Sequence, residues 1–279
     1  MKKIISVTVV LVLLCACLCS CDISDITGGN LRIKYKTDGE SLIVTGVPDN
    51  STLPEIVIPD EYEGKPVTGI ADFAMVNLEN VTKITIGKNV SEIGPWAMEN
   101  NKRVTAIEVD EENGYFCDLD GVLYSKDMKT LLFYPMARGI TETKDEAGNT
   151  VKAISYEIPE GVECVRTKAF YKCSDIRSLT LPSTLKNIEE KAFFRCSITE
   201  IILPDGLETI GKDAFSYTAL KKIDIPASVK EIGEYAFYNC TSLLEINVGS
   251  PESELNLGKK WYPTNNGLNI DGLKITFAE

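Results

Sequence analysis

Hydrophobic residues return along this chain at a nearly fixed step. Short segments of alternating apolar and polar positions recur, and each ends at a proline, a glycine or an aspartate: Pro59, Gly87, Asp110, Pro135, Pro159, Pro182, Pro204, Pro226 and Gly249. Successive marks lie 28, 23, 25, 24, 23, 22, 22 and 23 residues apart, the first step lengthened by an insertion at Glu61–Lys65. One residue before the marks stand Ile58, Ile86, Val109, Tyr134, Ile158, Leu181, Leu203, Ile225 and Val248; three before stand Ile56, Ile84, Ile107, Leu132, Tyr156, Leu179, Ile201, Ile223 and Ile246. The residue between each pair is mostly polar. That period of two is the signature of a short strand with one buried face. So short a strand cannot build a core alone, whereas copies stacked in parallel can share one. The spacing therefore predicts a repeat solenoid, mainly β, with one parallel sheet of about nine short strands, roughly 40 Å long at the usual strand separation.

The rest of each copy supplies a second apolar pair, as in Leu207 and Ile210, followed by Ala214-Phe215. Phe170, Phe193, Phe215 and Phe237 recur in this position and are expected to stack inside the coil. Residues 110–153 read as a degenerate repeat carrying two hairpins, Val122–Ser125 with Thr130–Tyr134 and Ile140–Lys144 with Thr150–Ile154, the second turning at Glu146–Asn149. Residues 31–55, with Asp38-Gly39 at a turn, suit an N-terminal capping hairpin, and 249–279 a C-terminal cap. Between them, 56–248 form the repeats.

The repeat, in copies such as LPSTLKNIEEKAFFRC from Leu181 and IPASVKEIGEYAFYNC from Ile225, resembles the BspA-like (treponemal-type) leucine-rich repeats of bacterial surface proteins. The likeness extends over residues 31–279, with GKPVTGI at Gly64–Ile70 and DGVLYSKDMKTLLFYP at Asp120–Pro135 as accessory matches. It departs at Gly87, Asp110 and Gly249, where the strand-ending proline is replaced, and at Ala97-Met98, which replaces Ala-Phe. The resemblance implies a right-handed leucine-rich-repeat coil on a surface or secreted protein engaged in adhesion. It does not imply a particular ligand.

The chain opens with Lys2 and Lys3, then an apolar run from Ile4 to Leu18, too short and too quickly followed by polar sequence for a membrane span. Residues 1–20 are expected to be a secretory signal. Leu18-Cys19-Ser20-Cys21 resembles a lipobox, which implies lipid attachment at Cys21 and a tether over 21–30; Leu14-Cys15-Ala16-Cys17 is a weaker match. The membrane would then be met through this N-terminal lipid alone, on the outside of a bacterial cell. The net charge of −12, or −14 without the two leader lysines, argues against nucleic acid as a partner.

Histidine is absent from all 279 residues, which removes Ser-His-Asp and Cys-His mechanisms and histidine zinc sites. No P-loop, GxGxxG or GxSxG motif occurs. Asp118-x-Asp120-Gly121 departs from a calcium loop, with Phe116 where an acid is needed and Asp127 where the pattern has Glu, and reads as a hairpin turn. Cys173, Cys196 and Cys240 share one column of the repeat, with Thr218 in the missing copy, and suit a ladder of small buried residues. With Cys117 and Cys164 they are expected to be five unpaired thiols. Neither metal nor cofactor is expected, and the chain is not expected to be an enzyme.

The candidate ligand-binding face is the outward column of the strands: Thr85, Glu108, Phe133, Glu157, Thr180, Ile202, Asp224 and Asn247, with Leu131 beside Phe133. Phe133 between Glu108 and Glu157 would be an apolar anchor with a charged rim. An outer aromatic row, Tyr171, Phe194 and Tyr238, is interrupted at Ser216. Together with the resemblance, such a face implies recognition of a protein or glycan at the cell surface. An envelope scaffold without external ligand is the alternative, and a glycoside hydrolase using Glu108 and Glu157 a remoter one.

Overall fold

A computed structural model describes residues 33–47, 53–144, 150–265 and 268–279. The leader, the tether, Cys21 and the Glu146–Asn149 turn lie outside the described residues. Among those described there is no α-helix, only strands, turns and a three-residue 3-10 turn at Glu252–Glu254.

The alternating segments stack as parallel rungs in what we call the front ladder. Glu55–Ile58, Lys83–Ile86 and Ala106–Val109 pair in register, Thr150–Glu157 pairs with Ile176–Thr180, and Lys222–Ile225, Glu245–Val248 and Lys274–Phe277 form a third set. The regular rungs point two aliphatic residues inward, such as Ile56 and Ile58 or Ile223 and Ile225, these four at most 2% exposed. The second half of each coil adds a back ladder. Ser41–Gly46, Lys65–Ile70 and Glu92–Ile93 form one part of it, and Cys164–Val165, Asn187–Ile188, Thr209–Ile210, Glu231–Ile232 and Asn256–Leu257 the other.

The turn after each back rung explains the Ala-Phe motif. The residues two before and two after Phe170, Phe193, Phe215 and Phe237 are left-handed, with φ between 54° and 62°. This conformation costs a side-chain-bearing residue about 1–2 kcal/mol. It turns alternate N–H groups along the coil axis, so that Lys168, Phe170 and Lys172 donate to Glu190, Ala192 and Phe194 of the next coil at 2.8–3.0 Å. The phenyl rings stack at 5.2, 5.2 and 5.5 Å between centroids. Cys196 and Cys240 donate S–H to the carbonyls of Phe170 and Phe215, one coil back, at 3.1 and 3.0 Å. The column therefore favours a small donor. The Gly of the Ile-Gly pair is required by close approach: a Cβ on Gly233 would lie 2.4 Å from the Lys212 nitrogen of the preceding coil.

Residues 110–153 depart from the expected phase. Spacing puts Tyr134 on a front strand, but it donates its N–H to Ala169 and stacks on Phe170 at 4.9 Å, so it occupies the core-Phe position. Thr130–Phe133 accordingly pairs in parallel with Cys164–Val165 on the back ladder. The cause is an antiparallel sheet formed by Phe116–Leu119, Val122–Ser125 and Thr130–Phe133. Its Asp120-Gly121 turn, φ 51° and 78°, is of the tight hairpin kind. The turn tip takes the place of a rung beside Ala106–Val109, Gly121 accepting the Ile107 N–H at 2.9 Å.

This sheet lies across the coil as a wall. Phe116, Leu123 and Leu132 face the core built from residues 42–107, whereas Val122, Tyr124, Leu131 and Tyr134 face the core that runs on to Trp261. The alternation of sides along Val122–Tyr124 is what a strand inserted edge-on between two cores requires.

Candidate ligand-binding face

The outward column of the front ladder is built by the same alternation that buries its neighbours. Glu108, Glu157, Thr180, Ile202 and Asp224 are exposed, and Thr85 and Asn247 are half-buried. The polar members are tied together from rung to rung. Lys83 Nζ lies 2.8 Å from the Glu55 carboxylate and 3.1 Å from that of Glu108, and Thr85 Oγ1 donates to Glu55 at 3.0 Å. The Lys83 hydrogen bond holds the Glu55 carboxyl below its usual range. Farther along, Lys222 pairs with Glu245 at 3.0 Å, and Asn247 donates to Asp224 at 2.7 Å and to Glu245 at 2.9 Å. Charges of alternating sign on successive rungs favour this register over a slipped one.

Leu131 and Phe133 do not belong to this face. Leu131 is fully buried against Val122 and Tyr124, and Phe133 packs on the N-terminal core, because their strand was carried to the back ladder by the hairpin. No residue of that strand stands between Glu108 and Glu157. The aromatic row is also corrected. Tyr217, rather than Ser216, continues it, because its left-handed backbone swings the ring outward. Tyr171 stacks on Phe194 at 5.1 Å, Phe194 meets Tyr217 edge-on at 5.3 Å, and Tyr217 meets Tyr238 at 5.7 Å.

The apolar anchor is Ile202. It is 87% exposed, flanked by Thr180 and Asp224 in the same column. A groove of about 480 Å³ runs beside it, lined by Glu160, Ser178, Thr180, Ser183, Glu200 and Pro204. Backbone bonding between rungs is also sparser here. Asp110 and Gly249 donate their N–H to Ile86 and Ile225 of the preceding rung, at 2.9 and 2.8 Å. Pro204 and Pro226 have no N–H to give, and Glu200–Leu203 runs between two strands without forming one. Sequence reasoning puts Ile202 in the column but sets Phe133 ahead of it, and the spacing carries no signal that the ladder opens at Glu200–Leu203.

Glu108 and Glu157 line none of the clefts described here. Among the described residues no cluster of His, Cys, Asp and Glu could hold a metal ion. The five described cysteines are unpaired, and burial pushes the thiols of Cys173 and Cys196 well up.

A family model described as the BspA type leucine-rich repeat region matches residues 48–118 and 144–262 in six copies, well over half the chain. The protein belongs to this family. No curated protein matches it in sequence. Among solved structures it is similar to the pneumococcal vaccine antigen PcpA, with 26% identity and a TM-score of 0.62 over 82% of this chain. The chain spans 58% of the length of that antigen structure. It also shares its fold with a leucine-rich cell surface protein of Faecalibacterium prausnitzii, at 15% identity and a TM-score of 0.52, covering 93% of this chain and 96% of that one. In this BspA-type chain the six-copy match stops and restarts around 119–143, the segment that supplies most of the transverse wall.

Proposed function

We propose that this protein is a bacterial cell-surface recognition module, anchored by lipid at Cys21, that binds a protein or glycan partner through the front ladder. The reading rests on Ile202. A large aliphatic side chain left 87% exposed in the middle of a polar column has no role in the core. Set beside a groove lined by Glu160, Ser178, Thr180 and Glu200, and flanked in its column by Thr180 and Asp224, it has the composition of an interface anchor. Membership of a repeat family built to display such faces, and likeness to a pneumococcal antigen, support the same reading.

The test is an array of matrix proteins and glycans probed with residues 30–279, carried out with the native chain and with Ile202→Asp. The variant should fold unchanged and lose at least tenfold in binding to whatever the native chain retains. Equal binding by the two proteins would remove the front ladder from the interface. Protease or antibody access on intact cells, compared with a Cys21→Ala form released to the medium, tests the anchor.

A further inference from the structure

One stretch of the front ladder, the one that carries Ile202, leaves its peptide groups unpaired. Residues 200–203 alternate like a rung, with Ile201 and Leu203 buried and Ile202 outside. They belong to no strand, and among the described residues their N–H and C=O groups have no backbone partner. The rungs on either side are paired away from them, Ile176–Thr180 with Thr150–Glu157 and Lys222–Ile225 with Glu245–Val248. Open donors and acceptors along a groove are what the main chain of an extended peptide can satisfy.

The charges beside the groove select the peptide. Its lining carries the carboxylates of Glu160 and Glu200 and neither lysine nor arginine. Ser183 donates its N–H and its hydroxyl to Glu160 at 3.0 and 2.9 Å, which holds that carboxyl below its usual range and keeps it charged. Lys222 follows Glu200 in its column but is held by Glu245 at 3.0 Å and Asp224 at 3.5 Å, so Glu200 has no ion pair among the described residues. Around the groove Glu157, Asp205, Asp224 and Glu245 bring the carboxylates to six, against Arg177, Lys221 and Lys222, an excess of three. Such a field repels a polyanionic glycan and also a second copy of this chain, whose net charge is −12. Glu200 opens the stretch and Glu160, tied to Ser183, lies past its other end. About four residue steps, roughly 13 Å, separate the two, with Ile202 between. An extended peptide presents residues i and i+4 on one face at that separation, with i+2 between them.

We propose that the Ile202 groove binds an extended basic segment of a protein partner. An aliphatic residue of the segment packs on Ile202, and a lysine or arginine two residues to either side meets Glu200 and Glu160. This rests on the front-face reading and narrows it from a protein or glycan to a basic protein segment.

The experiment titrates the native chain with acetyl-Lys-Ala-Leu-Ala-Lys-amide, followed by backbone amide resonances in nuclear magnetic resonance. Two control peptides carry Glu in place of both Lys, or Ser in place of Leu. The basic peptide should shift the signals of Thr180 and Ile202. The acidic control should bind at least tenfold more weakly and the serine control at least about fivefold more weakly. Glu200→Gln should weaken the basic peptide about two- to fivefold, whereas Glu231→Gln on the back ladder should leave it unchanged. Equal binding of either control, shifts spread over the whole surface, or no shifts at millimolar peptide would each overturn the proposal. Any of these beside an array partner that Ile202→Asp releases would remove the basic segment and leave the front face standing. Beside an array partner indifferent to Ile202→Asp, they would remove both.

Discussion

Truncating one ring of the internal stack should unfold half of this molecule and leave the other half standing. Phe193 is fully buried, packed between Phe170 and Phe215 with centroids 5.2 Å away on each side. Phe193→Ala removes the transfer free energy of a buried benzyl group and leaves a cavity, a loss of about 3–5 kcal/mol in comparable cores. The two aromatic contacts that vanish with it are part of that loss rather than an addition to it. A loss of about 4 kcal/mol is a large share of the stability of an ordinary domain, which is about 5–15 kcal/mol. The transverse wall makes the damage local. Phe193 belongs to the core that runs from Val122 to Trp261, whereas Val44, Ile56, Ile84 and Ile107 belong to the other. Native-state hydrogen exchange on the variant should show amides of Ile176–Val248 losing protection by two to three orders of magnitude, with those of Ile56–Ile107 changed by less than tenfold. Uniform loss across both regions would refute the division into two cores, and a denaturation loss below about 1 kcal/mol would refute the stack as a source of stability.

Three further outcomes follow from the same contacts. Gly233→Ala should cost more than about 2 kcal/mol in urea denaturation, because the added methyl meets the Lys212 backbone at 2.4 Å and cannot displace a flexible side chain instead. Lys168→Met should cost about 3 kcal/mol, since Lys168 is only 3% exposed and pairs with Glu99 at 2.9 Å; adding Glu99→Gln should recover part of the loss, and no recovery would count against the pairing. The thiols set a pH limit. Burial pushes Cys164 to about 12 and Cys240 to about 11, from an ordinary value of 9.0. The folded state keeps these protons where the unfolded chain releases them, so the contribution is intact below pH 9 and lost as pH rises toward 11 and 12. Melting temperature should fall over that window, and a Cys164→Ala, Cys240→Ala variant should fall less steeply.

The alternation of apolar and polar residues, by itself, determined the rungs. Ile56 and Ile58, Ile84 and Ile86, and Ile223 and Ile225 point inward because a strand has no other way to sort such a pattern, and the recurring phenylalanines stack because equal spacing in sequence becomes equal height in a coil. The same logic placed Glu108, Thr180, Ile202 and Asp224 outside. Tertiary structure alone decided the phase of residues 110–153. The spacing to Pro135 imitates one repeat, but antiparallel pairing of Val122–Ser125 with Thr130–Phe133 satisfies more backbone groups than a lone rung could, and it carries Leu131 and Tyr134 to the opposite ladder. Periodicity counts residues and is blind to which edge a hairpin takes. For that reason the wall between the cores and the exposed Ile202 groove became visible only once the strands had found their partners.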